Sequence, residues 1–168
     1  AGGPMPADEL AELAGCTRRQ IQRDFESLGI TPASYGRAVR TDRARQTLRR
    51  ASSVTDALLD AGYGSVRAFY EETGRRLGMA PSEYASGAPG LPLLWATTVS
   101  AVGLIIAVAS PRGLSAVRIG TERTSMIDEV KGEFPAARLI EDEAAMADVL
   151  AALRALALGT STCSLPID

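Results

Sequence analysis

Leu77 to Tyr84 reads LGMAPSEY, and Leu28 to Tyr35, 49 positions earlier, reads LGITPASY. Similarity at a fixed offset signals a duplicated structural unit. Working outward, ELAELAGCTRRQIQRDFESLGITPASY runs parallel to VTDALLDAGYGSVRAFYEETGRRLGMAPSEY, with Ala14-Gly15 answering Ala61-Gly62, Thr17 answering Ser65, and Pro32 answering Pro81. Each copy parses as a short helix, Asp8 to Ala14 or Val54 to Ala61, stopped by Gly15 or Gly62, since glycine reaches the left-handed conformation that ends a helix. A turn of two or three residues follows, and Thr17 or Ser65 then caps a second helix, Thr17 with Gln20 having capping-box spacing. Helix, tight glycine turn, helix is the unit that places its second helix in the DNA major groove.

The second helix of the first copy carries a readable face. At 100° per residue, Ile21, Phe25 and Leu28 fall on one apolar stripe, and Arg19, Gln22, Arg23 and Glu26 on the opposite one. Arginine pairs bidentately with guanine and glutamine with adenine, so Arg19, Gln22 and Arg23 are aimed at base edges. In the second copy Phe69 faces inward, Thr73 stands where the first copy has Phe25, and the outward stripe is Arg67, Tyr70, Glu71 and Gly74. Glu71 repels phosphate but can accept from a cytosine amino group. Between the copies, Thr31 and Pro32 start one long helix, PASYGRAVRTDRARQTLRR, docked through Tyr35, Val39, Ala44 and Leu48. Such a rigid connector would hold two reading helices about 34 Å apart, one turn of DNA.

Charge follows this division. Arg18 to Arg50 contain nine arginines against Asp24, Glu26 and Asp42, whereas Leu91 to Asp168 hold six basic and nine acidic residues. Only Lys131 among the 18 basic residues is a lysine, and the guanidinium fork suits phosphates and guanine edges. The chain has no histidine and only Cys16 and Cys163, which argues against a zinc site, a disulfide framework and histidine acid-base chemistry. Cys163 has no base or cation among its sequence neighbours to depress its pKa. Both cysteines are expected to pack as small hydrophobes.

Between Glu83 and Arg112 lie 28 residues without a charge. Pro89, Pro92 and Gly103 interrupt that run, and its longest clean piece, Leu104 to Ala109, is strand length. Followed by SPRG and LSAVRIG, it reads as a buried hairpin, not a membrane helix. Strand runs at Trp95–Ala101, Leu104–Ala109, Ser115–Ile119 and Arg138–Ile140, with helices at Ser125–Phe134 and Ala144–Leu158, make the back half α/β. Glu141, Asp142 and Glu143 read as a solvated loop and helix start.

Residues 7–84 resemble the AraC/XylS-type DNA-binding domain, in which paired helix-turn-helix units share a long linking helix; AGYGSVRAFYEETGRRLGMAPSEY lies close to its C-terminal signature. LIIAVASPRGLSAVRIG, IDEVKGEFPAARLIEDEAAMADVLAALRAL and LPID resemble the segment that follows this domain in Ada-type regulators, the ribonuclease H-like first part of an O6-methylguanine-DNA methyltransferase. The resemblance implies an α + α/β fold: an all-α paired helix-turn-helix domain over 1–87, with units 7–29 and 53–78 linked by helix 32–50. A linker at 88–92 and a ribonuclease H-like α/β domain over 93–168 follow. It implies DNA-binding residues Arg18, Arg19, Gln22 and Arg23 in the first unit and Ser65, Val66, Arg67, Tyr70 and Glu71 in the second, of which all but Arg18 and Ser65 match its base-reading positions. Thr17, Arg40, Arg43, Arg75 and Arg76 are the expected phosphate contacts. Glu71, where the family commonly has arginine, and Thr73, where it has a core phenylalanine, weaken the expected reading by the second helix.

The expected function is a sequence-specific DNA-binding transcriptional regulator tied to the Ada response to DNA alkylation. Its expected partners are double-stranded DNA and RNA polymerase, with a cytoplasmic location, no membrane association, no cofactor and no metal. The family's methyl transfer uses a cysteine in a Pro-Cys-His-Arg motif; the sequence lacks that motif, so catalysis by this chain is not expected. The alternative is a truncated fragment of the DNA repair methyltransferase without its acceptor-cysteine domain.

Overall fold

The computed structural model describes residues 7–50 and 53–159. The chain divides into two compact units, with the boundary after Phe69.

In the first unit, α1 (Ala7–Leu13) ends at Gly15, whose φ of 64° is the left-handed stop expected from the repeat. Thr17 then starts α2 (Arg18–Ser27). Its hydroxyl accepts from the Gln20 N–H at 3.2 Å, and the Gln20 side chain accepts from the Thr17 N–H at 2.8 Å, a complete capping box. Thr31 and Pro32 open α3 (Pro32–Leu48) in the same manner, with Ser34 closing the box. Ser53 caps α4 (Val54–Asp60), and Gly62, at φ 79°, lets the chain turn toward α5 (Val66–Leu77). α1 packs on α2, and α3 on α4, burying Ala11, Ile21, Thr41, Ala44, Leu48, Ala57 and Leu58. Phe69 is fully buried and meets Tyr63 edge to face at 5.1 Å.

Two residues depart from the expected packing. Leu28 is 72% exposed and Tyr35 is 54% exposed, although the helical period places Leu28 on the Ile21 stripe. α1 lies over the start of α2, and Tyr35 touches Phe25 edge on at 5.7 Å, but no described element covers the far end of that stripe. Periodicity sets which side a residue faces; it does not supply the element that faces it.

The second unit, from Tyr70 onward, holds the end of α5, a five-residue helix α6 (Pro81–Ala85), and a four-stranded mixed sheet: β1 (Pro92–Ser100), β2 (Gly103–Ser110), β3 (Gly113–Gly120) and β4 (Arg138–Glu141). The spatial order is β3-β2-β1-β4; β1, β2 and β3 form an antiparallel meander joined by two-residue turns, and β4 pairs parallel to β1. α7 (Arg123–Glu133) and α8 (Ala147–Ala157) complete an α+β arrangement. Ile105, Ala107 and Ala96 pack with Met146, Leu150 and Leu153 of the α8 segment, while α7 contributes Met126 and Val130. Ile105 to Val108 are all buried, so β2 is covered on both faces. That explains the charge-free run, because a strand covered on both sides has no solvent face to carry charge. No helix among the described residues is long and apolar enough to cross a membrane.

The ends of the helices and strands agree with the sequence reading to within a few residues. The α8 segment differs most: Glu143 to Met146 form turns ahead of the helix proper, and the Ala145 N–H donates to the Asp142 carboxylate at 2.9 Å. Cys163 and the closing CSLPID stretch lie outside the described residues.

Candidate nucleic-acid interface

The α2 capping box aims one helix face outward. Thr17, Arg19, Gln20, Gln22, Arg23 and Glu26 line a single open concavity, so Arg19, Gln22 and Arg23, the three side chains expected from the sequence to face bases, stand together beside Thr17. All four are exposed, and opposite them Ile21 is buried. A helix held from behind with hydrogen-bonding side chains on a free face can enter a groove without losing its packing. Arg23 also lies 3.7 Å from Asp24, an exposed pair that costs little to exchange for a phosphate or a base. Arg18 is turned away from this group: its guanidinium meets Asp8 of α1 at 3.3 Å.

On α3, Arg43 is exposed, whereas the Arg40 guanidinium lies 5.3 Å over the Tyr63 ring. That cation–π contact makes Arg40 a brace between α3 and the α4–α5 turn. On α5 the Ser65 hydroxyl accepts from the Ala68 N–H at 3.2 Å, so Ser65 caps the helix. Val66, Arg67, Tyr70 and Glu71 are exposed on one side, with Phe69 and Thr73 fully buried on the other. Val66 and Tyr70 are 57% and 39% exposed. Arg75 and Arg76 occupy the last turn of α5, where arginine opposes the negative end of the helix dipole.

Some important residues were not anticipated. Glu133, at the end of α7, is a buried carboxylate that accepts from the Tyr84 hydroxyl at 2.6 Å and from the Arg118 guanidinium. Its signal was present in the sequence: Met126, Val130 and Glu133 share one helical face, so an acid sits where periodicity calls for an apolar side chain. Arg112 at the β2–β3 turn pairs with both carboxylate oxygens of Glu83, at 2.9 and 3.2 Å. No sequence spacing predicts that pairing. Among the described residues no group of His, Cys, Asp and Glu is arranged to hold a metal ion.

With this geometry in view, residues 10–87 match the family model described as a helix-turn-helix domain. This segment is a helix-turn-helix domain. The chain is similar to the Escherichia coli K12 protein named bifunctional transcriptional activator/DNA repair enzyme Ada, 28% identical over 135 residues. That alignment covers 80% of this chain and 38% of the relative, so the chain spans well under half the length of the protein it matches. The helix-turn-helix-type transcriptional regulator CdhR of Pseudomonas aeruginosa PAO1 is 37% identical over 82 residues, 48% of this chain and 24% of that protein. A solved structure of a DNA-binding transcriptional dual regulator from Escherichia coli K-12 aligns over 52% of this chain and 79% of its own, at 18% identity and a TM-score of 0.49.

Proposed function

We propose that this chain is a sequence-specific DNA-binding transcriptional regulator of the AraC/XylS type, acting on double-stranded DNA in the cytoplasm within an Ada-type response to DNA alkylation. The observation that carries the reading is the capped α2 helix, packed from behind through Ile21 and presenting Arg19, Gln22 and Arg23 around one open concavity. Arg19 and Arg23 would take guanine edges and Gln22 an adenine, each good bidentate pair contributing roughly 1–3 kcal/mol of discrimination. Val66, Arg67, Tyr70 and Glu71 of α5 would read a second block, with Glu71 accepting from cytosine. Ser65, as the cap, presents the first turn of α5 to the backbone. Thr17, Arg43, Arg75 and Arg76 would contact phosphates; Arg18 and Arg40 would first leave Asp8 and Tyr63 to do so. RNA polymerase is the protein partner such a regulator would engage.

The sheet unit reads as the ribonuclease H-like part of an Ada-type methyltransferase. Its antiparallel meander, helix, parallel fourth strand and closing helix support that assignment. Similarity to a protein named both activator and repair enzyme favours a second reading, in which the chain is one segment of an O6-methylguanine-DNA methyltransferase repair protein and holds no methyl acceptor itself. Incubation with O6-benzylguanine should leave the intact mass unchanged; an adduct on Cys163 would show otherwise.

Selection from a random duplex library at about 0.15 M salt, where the screening length is roughly 8 Å, tests the regulator reading. Enrichment of two blocks about one helical turn apart is the expected result. A pool that stays random overturns the reading.

A further inference from the structure

The structure assigns to the α/β unit a positioning role in the second reading element: Glu133, Arg118 and Arg112 hold the corner from which the Tyr70–Glu71 end of the α5 face is aimed. This inference rests on the DNA-binding reading and deepens it. α5 leaves Leu77 through Gly78, and three separate contacts, two from the β2–β3 turn and one from the end of α7, meet that exit. The Ser110 hydroxyl donates to the Gly78 carbonyl, and a Cβ on Gly78 would stand 2.6 Å from the Gly113 carbonyl oxygen, so the β2–β3 turn lies directly on the corner. Arg112 of the same turn grips Glu83, whose carboxylate also accepts from the Ala80 N–H at 2.7 Å. Tyr84 is locked from the other side, its ring edge-on to Phe134 at 5.8 Å and its hydroxyl on Glu133.

Glu133 makes the seating specific. It is 5% exposed, and a buried carboxylate stripped of a partner is costly, so Tyr84 and Arg118 must both arrive for the corner to close well. The lever is short. Tyr70 lies seven residues, about 10 Å, before Leu77 along the helix, so a 10° tilt about the corner moves it by about 2 Å. Hydrogen bonds to base edges do not survive such a shift. None of Glu133, Arg118 and Arg112 is a base-reading residue; each acts through α5.

Two measurements on the full chain test this, using wild type and Glu133→Gln. Binding is compared on the selected operator and on operators with either block scrambled, and hydrogen exchange is followed at the amides of residues 70–77. Glu133→Gln should lower second-block discrimination about fivefold or more and leave the first block within about twofold, because the lost contact is a hydrogen bond to a charged group. Exchange at 70–77 should accelerate about tenfold. Equal loss at both blocks, or unchanged discrimination, overturns the positioning role. Should Glu133→Gln fail to fold, Arg112→Ala removes an exposed ion pair, and the same second-block bias is expected at about twofold. Wild type that ignores both blocks sinks the DNA-binding reading, whereas unchanged exchange at 70–77 sinks the positioning role alone.

Discussion

The two ends of the repeat, Leu28–Tyr35 and Leu77–Tyr84, share their local structure and differ in what surrounds them. Gly29 and Gly78 both adopt the left-handed conformation, at φ 71° and 61°, and Pro32 and Pro81 both open the following helix. The third helical residue closes back on the cap N–H in each, through Ser34 at 3.0 Å and Glu83 at 2.7 Å. Yet Leu28, Ile30 and Tyr35 are 72%, 38% and 54% exposed, while Leu77, Met79 and Tyr84 are at most 3% exposed. The glycine stop, the proline start and the return bond to the cap N–H are thus written twice. Burial is decided by what packs on each copy, and the second copy meets the β2–β3 turn and the end of α7.

The largest test of this contrast compares leucines. Leu77→Ala should destabilise the protein by roughly 2–5 kcal/mol, whereas Leu28→Ala should fall within about 0.5 kcal/mol, both read from urea unfolding midpoints. Equal costs would mean that Leu28 is covered in solution.

The glycines come next. An alanine at either position adopts a left-handed conformation that costs roughly 1–2 kcal/mol. At Gly29 a Cβ meets nothing within 4 Å, but at Gly78 it strikes the Gly113 carbonyl oxygen. Gly78→Ala should therefore cost about 3 kcal/mol and Gly29→Ala about 1 kcal/mol by the same measurement.

Removing single oxygens gives a finer comparison. Tyr84→Phe takes a hydrogen bond from the buried Glu133 carboxylate and should cost roughly 1.5–3 kcal/mol, while Tyr35→Phe at an exposed ring should cost within about 0.5 kcal/mol.

The smallest effect lies within the sheet unit and contrasts its exposed carboxylate cap with the buried Glu133. Glu122 caps α7 by accepting from the Ser125 and Thr124 N–H groups, and these bonds, Ser125 first, hold its carboxyl below the ordinary glutamate value. A depressed folded-state pKa gives a contribution that is complete above the unfolded value of about 4.3 and is lost as pH falls through the folded one. Glu122→Ala should therefore lower the thermal midpoint at neutral pH, with the difference shrinking below about pH 4. A pH-independent difference would show that the cap does not act through its charge.

Most of the candidate site was legible in the sequence because it is local. Thr17 and Gln20 announce a capping box four residues wide, and Arg19, Gln22 and Arg23 then share a face by helical geometry alone. The present contacts of Arg18 and Arg40 were not legible in this way, since Asp8 approaches from α1 and Tyr63 from the α4–α5 turn. The β2–β3 hairpin was legible from SPRG between two β-rich runs, while the parallel pairing of β4 with β1 joins Arg138 to Pro92 across the whole of the intervening α7 segment.

By itself the sequence determined the repeat, the caps, the glycine stops, the strand and helix periods and the outward face of α2, because each depends on neighbours within a turn or a hairpin. Only the tertiary structure decided that Leu77 is core and Leu28 is surface, that Arg40 lies on Tyr63, and that a carboxylate at Glu133 is buried between Tyr84 and Arg118. Hydrogen-bond geometry is specified residue by residue along the chain, whereas burial belongs to a pair of surfaces, and the second surface comes from distant sequence.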